Sequence, residues 1–394
     1  MSEGLATIDE LLERACADGV VPGVVAMVAD RDGLLYEGAA GKLRIGESAP
    51  ARTDTMFRIA SMTKALTSVA ALQLVEQGRL ALYQTVASVI PAFGELQLLE
   101  GFDGDEPRLR DLSRQPTIQH LLTHTSGLSY WFSNVDLKTW HDVTGAPTPL
   151  TGLRRCLDIP FVAEPGDRWE YGVNTAWLGL VVEAVTDQTL DDYLAQNVFG
   201  PLGMTDTTFR PTEAQRKRLM EIHSRTADGG LEFSGLEIFE DPELAFGGEG
   251  GYGTAGDYIR FLRALLRGGE LDGAQILEPE TAALMFTDHL EGAPLPEIMR
   301  SAIPELTNDV PSLPFRQGWG LGLHLLLEDV PDMRKAGSGD WAGLFNTYYW
   351  IDPATGITAA IFTQLLPFFD ERMVGTLLQF EQDIYAQLGA ATAA

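Results

Sequence analysis

The stretch that most limits what this chain can fold into is residues 62–77. No proline or glycine interrupts it, apolar residues recur at three and four, and Gly78 supplies a stop. The helix this predicts is apolar nearly all round, so it has to be buried and the rest of the chain has to pack around it. Ser61 falls at its first turn, where the leading NH groups have no partner within the helix and carry the positive end of its dipole. An oxyanion forming beside Ser61 would be stabilised there. Lys64, three residues on, projects from the same face. An amine held against a hydroxyl can take its proton if burial or a neighbouring cation lowers its pKa. A bare Ser-x-x-Lys usually means no more than a capped helix with a solvated lysine, but a lysine on a buried helix needs a reason.

Around this run the chain reads as strands at both ends and helices between. Residues 7–18 form an amphipathic helix with Ile8, Leu11, Leu12 and Ala15 in one stripe. Residues 22–29 and 34–41 read as strands joined through Asp30-Arg31-Asp32-Gly33, an antiparallel hairpin. From 83 to 236 helical patterns at 117–122, 174–185 and 190–198 are separated by long Pro- and Gly-punctuated connections. The glycine cluster 247–253 precedes a helix at 254–266. It lacks the Lys-Ser or Lys-Thr and the leading strand of a phosphate loop, so close backbone packing is its reading. Strands return at 318–327, 344–351 and 357–364, with a turn at 352–356, a helix at 371–387 and a frayed Ala-rich end at 389–394. The pattern predicts an α+β protein. Residues 1–82 and 237–394 would form an α/β domain around an antiparallel sheet covered by terminal helices, residues 83–236 a mostly helical domain, with a cleft between the two.

A formal net charge of -28 sets phosphate-bearing partners aside, nucleic acid and anionic membrane alike. Cys16 and Cys156 form no CxxC pair, which indicates neither a zinc site nor a disulfide framework; two buried free thiols are expected, with one long-range disulfide as the alternative. The first residues show no secretory signal and no apolar run is long enough to span a bilayer, so a cytoplasmic location is expected. No pattern reports the oligomeric state.

Three further patches bear on Ser61. Tyr171 ends the polar loop 165–174 just before a helix; its phenol could work as a base only with a cation such as Lys64 nearby, and packing at a helix start is the alternative. The stretch 337–344 opens a strand with small residues, where a substrate carbonyl could approach a backbone NH or where a plain glycine-rich turn could stand. The third patch is the glycine cluster. Tyr130, Trp131 and Phe132 make an aromatic run that could line the cleft or pack inside. No Gly-x-Ser-x-Gly elbow and no His-Glu-x-x-His pair occurs, which removes the α/β-hydrolase and zinc-protease readings; His124 reads as a hydrogen-bonded structural residue.

Taken in order, Ser61-Met62-Thr63-Lys64, the segment 120–128, Trp169-Glu170-Tyr171 and the glycine cluster running into Asp257-Tyr258-Ile259-Arg260-Phe261 resemble the serine β-lactamase and penicillin-binding superfamily over residues 5–385. The closest resemblance is to its class C β-lactamase-like esterase branch, the family VIII carboxylesterases. The resemblance implies a β-lactamase/transpeptidase-like fold and a serine carboxylesterase acting through an acyl-enzyme on small ester substrates, with no metal or cofactor. It casts Ser61 as nucleophile, Lys64 as its helper and Tyr171 as proton shuttle. The backbone NH groups of Ser61 and Leu344 become the oxyanion hole, and Trp341 and Gly343 become substrate-binding residues with Tyr130. Two departures stand out: Tyr171-Gly172-Val173 replaces Tyr-Ser-Asn, and Trp341-Ala342-Gly343 replaces Lys-Thr-Gly. The lost lysine and amide favour neutral esters over β-lactams, with Asn174 one place late for the missing amide. β-Lactamase, D-amino-acid peptidase or amidase, and acyltransferase activities are the alternatives on the same scaffold.

Overall fold

A computed structural model describes residues 6–236, 238 and 241–393. Its centre is a seven-stranded sheet made of β1 (Gly23–Asp30), β2 (Leu34–Gly41), β3 (Gln317–Trp319), β4 (His324–Leu326), β5 (Gly339–Gly343), β6 (Thr347–Asp352) and β7 (Ile357–Phe362), in the order β3-β4-β5-β6-β7-β1-β2. Every pairing is antiparallel, and β1 joins β7 in the register Val25 to Phe362, so the two ends of the sequence meet inside the sheet, with β2 alone beyond β1. The Asp30 side chain accepts from the NH groups of Asp32 and Gly33, which fixes the turn from β1 to β2.

Alternation sorts the strand residues into two cores. Val24, Ala26 and Val28 face α1 (Ala6–Ala17) and the last helix, where Ile8, Leu12, Trp350 and Phe380 pack. Val25, Met27 and Ala29 face the other way into the larger core, with Phe57, Phe362 and Tyr258 of the helix Ala255–Leu266. The Ser61 helix, α2 (Thr63–Glu76), is buried from Thr63 to Leu74 in that larger core. Its neighbours there are the helices Asn174–Thr186 and Leu190–Leu194.

Several sequence readings need correction. The expected strand 318–327 is a hairpin of two short strands, because Gly320 and Gly322, the latter at φ +102°, turn the chain between them. The strand expected from 344 begins at Thr347, since Asn346 at φ +58° completes the turn out of β5. The 83–236 stretch holds two strand pairs besides its helices, Leu98–Asp103 with Glu106–Arg110 and His223–Arg225 with Leu231–Phe233. The strand His223–Arg225 also pairs in parallel with Leu365–Leu366 beside the main sheet. The terminal helix Glu371–Ala393 continues through the segment expected to fray, and residue 394 lies outside the described residues, as does residue 237 at the expected domain boundary. Both cysteines are free, Cys156 buried and Cys16 half-buried. Among the described residues no helix is long and apolar enough to cross a membrane.

Candidate active site

The chain reaches Ser61 through a tight turn. Ala60 takes φ +45°, a left-handed conformation that costs a non-glycine residue about 1 kcal/mol, and a 3-10 turn Ala60–Met62 then feeds α2. The turn is pinned from two sides. Thr63 Oγ1 donates to Ala60 O at 2.7 Å and accepts from Gly251 NH at 3.0 Å, and Ile59 NH donates to Gly251 O at 3.0 Å. A Cβ on Gly251 would stand 2.6 Å from Thr63 Oγ1, so the glycine cluster serves as a close-packed support, as its sequence suggested.

Lys64 is 2 % exposed, and its Nζ has three acceptors: Ser61 Oγ at 3.2 Å, Tyr130 Oη at 3.0 Å and Gly248 O at 2.7 Å. The expected pairing of Ser61 with Lys64 is therefore present. The phenol bonded to the lysine, however, is Tyr130 and not Tyr171. Tyr171 stands beside the pair, its ring centroid 4.8 Å from Lys64 Nζ and 5.2 Å from the Tyr130 ring, and its hydroxyl accepts from Trp341 Nε1 at 3.1 Å. Its position comes from the loop before Asn174–Thr186, with Tyr130 NH donating to Tyr171 O at 3.1 Å.

Asn174 does not make up for the missing amide. It is fully buried, its Nδ2 donating to His124 Nδ1 at 3.0 Å and Leu128 O at 3.2 Å while its Oδ1 accepts from Ser126. All its polar atoms are spent on holding the two loops together, so the shift that would bring it to a substrate does not occur. His124 is structural as read, at φ +56° with its ring 5.1 Å from that of Tyr171. Burial and the Lys64 charge drive its pKa well below the ordinary imidazole value, so it is neutral.

Glu249 escaped the sequence reading. Its Oε2 accepts from Tyr130 Oη at 2.8 Å, and its Oε1 is buried with no hydrogen-bond partner. Burial raises the Glu249 pKa, against the pull of Lys64 and of the Tyr130 hydrogen bond. Burial also lifts the Tyr130 phenol well above its usual value, with Glu249 adding to the effect. The available signal was a buried lysine without a counter-charge, next to a sequence that places one acid inside a run of glycines.

On the other wall, β5 runs up to the Ser61 turn. A Cβ on Gly343 would lie 2.5 Å from Ile59 O, so only glycine lets the strand end come this close. Ser61, Trp341, Gly343 and Leu344 all line one cavity of about 340 Å³, whose other walls include Tyr130 and Trp169. Trp131 and Phe132 line it too, so the whole aromatic run faces the cleft. The walls are mainly apolar and aromatic, a setting for an uncharged acyl or alcohol group.

A serine in the tight turn that feeds a buried helix, a lysine in that helix's first turn, and an antiparallel sheet strand across the cleft place this chain in the serine β-lactamase and penicillin-binding-protein-like superfamily. The Beta-lactamase family profile matches residues 7–383, and the chain belongs to that family. It is 35% identical to monacolin J acid methylbutanoyltransferase of Aspergillus terreus, over 98% of this chain and 97% of that one. It is 32% identical to lovastatin esterase of Penicillium rubens, over 97% and 99%. Among solved structures, unliganded simvastatin synthase (LovD) from Aspergillus terreus superimposes with a TM-score of 0.82 at 31% identity, covering 98% of this chain and 99% of that one. EstCE1, described as a hydrolase with promiscuous acyltransferase activity, does so with a TM-score of 0.76 at 25% identity, covering 97% and 99%.

Proposed function

We propose that this protein is a serine carboxylesterase of the family VIII type that works through an acyl-enzyme on Ser61. The observation that carries the reading is the 3.2 Å approach of Lys64 Nζ to Ser61 Oγ at the floor of an apolar cleft. Ser61 attacks an ester carbonyl as its proton passes toward Lys64, and the NH groups of Ser61 and Leu344 receive the oxyanion. Tyr171, with its hydroxyl held by the Trp341 indole, protonates the departing alcohol and then activates the group that takes the acyl chain away. With water the result is hydrolysis. Transfer to an alcohol is the second reading. The apolar walls favour it, since they hold an organic acceptor as readily as they hold a leaving alcohol, and so do the relatives named for methylbutanoyl transfer.

Trp341 in place of a lysine argues against β-lactams as the main substrates. Intact-mass measurement across a panel of esters, amides and β-lactams tests the reading. Esters should add the mass of their acyl group to the native protein and none to Ser61→Ala, whose turnover should fall by several orders of magnitude. Adding an alcohol then separates the two fates: a new ester product marks transfer, while release of acid alone marks hydrolysis. Substantial ester turnover by Ser61→Ala, or a cephalosporin consumed faster than any ester, would contradict the proposal.

A further inference from the structure

We infer that Glu249, acting through Tyr130, accepts the proton that Lys64 must shed before it can act on Ser61; the inference rests on the acyl-enzyme reading above. Lys64 Nζ has as many acceptors as an ammonium has N–H bonds, namely Ser61 Oγ, Tyr130 Oη and Gly248 O. In that form it donates to Ser61 and has no lone pair with which to take a proton. The route out is laid in one direction: Lys64 donates to Tyr130, and Tyr130 donates to Glu249 Oε2 at 2.8 Å.

The step balances. One Lys64 N–H bond breaks as a new O–H bond forms on Tyr130, while the original Tyr130 O–H bond breaks and an O–H bond forms on Glu249. An ammonium and a carboxylate become an amine and a carboxylic acid. Burial favours that direction, because two charges removed from water cost more than the neutral pair. The orphaned Glu249 Oε1 fits a carboxyl group that does not hold its full charge permanently. Rotation about the Lys64 Cε–Nζ bond then turns the lone pair to Ser61.

The other groups around Glu249 keep one form through the working pH range. His124 is held neutral by burial and by Lys64, and burial keeps the Tyr130 phenol protonated. Burial and Glu249 likewise keep Cys156 a thiol. Tyr171 faces the pair from its own loop, and its hydroxyl is engaged with Trp341.

The test is the pH profile of kcat/KM on an ester that acylates the native protein. In the native enzyme a pair carrying one proton in total is active, and it forms when the doubly protonated pair loses a proton at its acidic, carboxyl end. In Glu249→Gln, Lys64 has to release its proton to solvent, which needs a higher pH. The acid limb should therefore move up by a pH unit or more with KM little changed, and the alkaline plateau should stand above the native value, because no share of the active enzyme is then lost to the ammonium–carboxylate form. Tyr130→Phe keeps the carboxylate but breaks the route, so its limb should move up as well; it decides the matter if Glu249→Gln does not fold. A Glu249 that acted only as a counter-charge would give the opposite sign in Glu249→Gln, because its removal would make Lys64 easier to deprotonate. An acid limb that stays put or moves down in either folded variant overturns the inference. Failure of every ester to acylate native Ser61 would instead sink the functional reading, so the two failures are distinguishable.

Discussion

Lys64 shows what a buried helix needs if it is to carry a charge. Its amino group is tolerated because three acceptors from three segments replace water, with the Glu249 carboxyl one hydrogen bond further on. The Ser61 to Lys64 spacing was legible because it is local to one helical turn. Tyr130, Gly248 and Glu249 were not, because folding alone brings them to that turn. Arg58 is the opposite case. It lines the cavity with no acidic partner among the described residues; one guanidinium nitrogen donates to Met220 O at 3.4 Å, and its Nε is buried without a hydrogen bond. The departures in the sequence motifs pointed to neutral esters, yet the cleft does hold an unpaired cation. A substrate carrying a carboxylate should gain from it: Arg58→Gln should lower kcat/KM about tenfold for an ester with a free carboxylate, the cost of one charged hydrogen bond. The methylated counterpart of that ester should be unaffected. Steady-state kinetics on the matched pair checks this, and equal losses on both would remove Arg58 from substrate recognition.

Among the elements, β5 does the most with the least chain. Its five residues place Trp341 against the Tyr171 hydroxyl and Gly343 against Ile59. Gly343→Ala would put a methyl group 2.5 Å from a backbone oxygen that has no freedom to yield, so the strand has to retreat from the Ser61 turn. The expected result is a fall in kcat of about a hundredfold, the scale of losing one oxyanion donor, with the far-ultraviolet circular dichroism unchanged. The same element shows why sequence reading stops where it does. Small residues opening a strand can be read from composition, as the continuous apolar runs of β1 and β7 were. The hairpin hidden in 318–327 could not be read so, because its apolar residues continue through the turn and only Gly320 and Gly322 mark it.

At the scale of the molecule, a charge network ties the far edge of the sheet to the last helix. His324 of β4 bonds Asp340 of β5 at 2.8 Å, and Arg334 bridges Asp340 to Glu381 of the terminal helix. Burial works to raise the Asp340 carboxyl, but His324 and Arg334 outweigh it and hold it at about 2, below its usual 3.8. A depressed carboxyl pKa contributes stability that is present above the unfolded value and lost as pH falls through the folded one. Denaturant unfolding should accordingly lose about 2 kcal/mol between pH 5 and pH 2 through this residue. Glu381 is raised by burial against the pull of Arg334 and works in the other direction, so the comparison with Asp340→Asn isolates the effect. That variant should be less stable at pH 7 and flatter over the acid range; an unchanged acid slope would show that the network is not coupled to unfolding.

The joining of β1 to β7 sets a timetable for biosynthesis. A nascent chain emerging from the ribosome presents Ser61, Lys64 and Tyr171 early, but β1 has only β2 to pair with until the distant 357–362 segment has been translated. The strand that walls Ser61 is likewise among the last to arrive. A growing polypeptide thus carries the proposed catalytic side chains for most of its synthesis without the cleft around them, which is assembled only once the two ends of the chain have met.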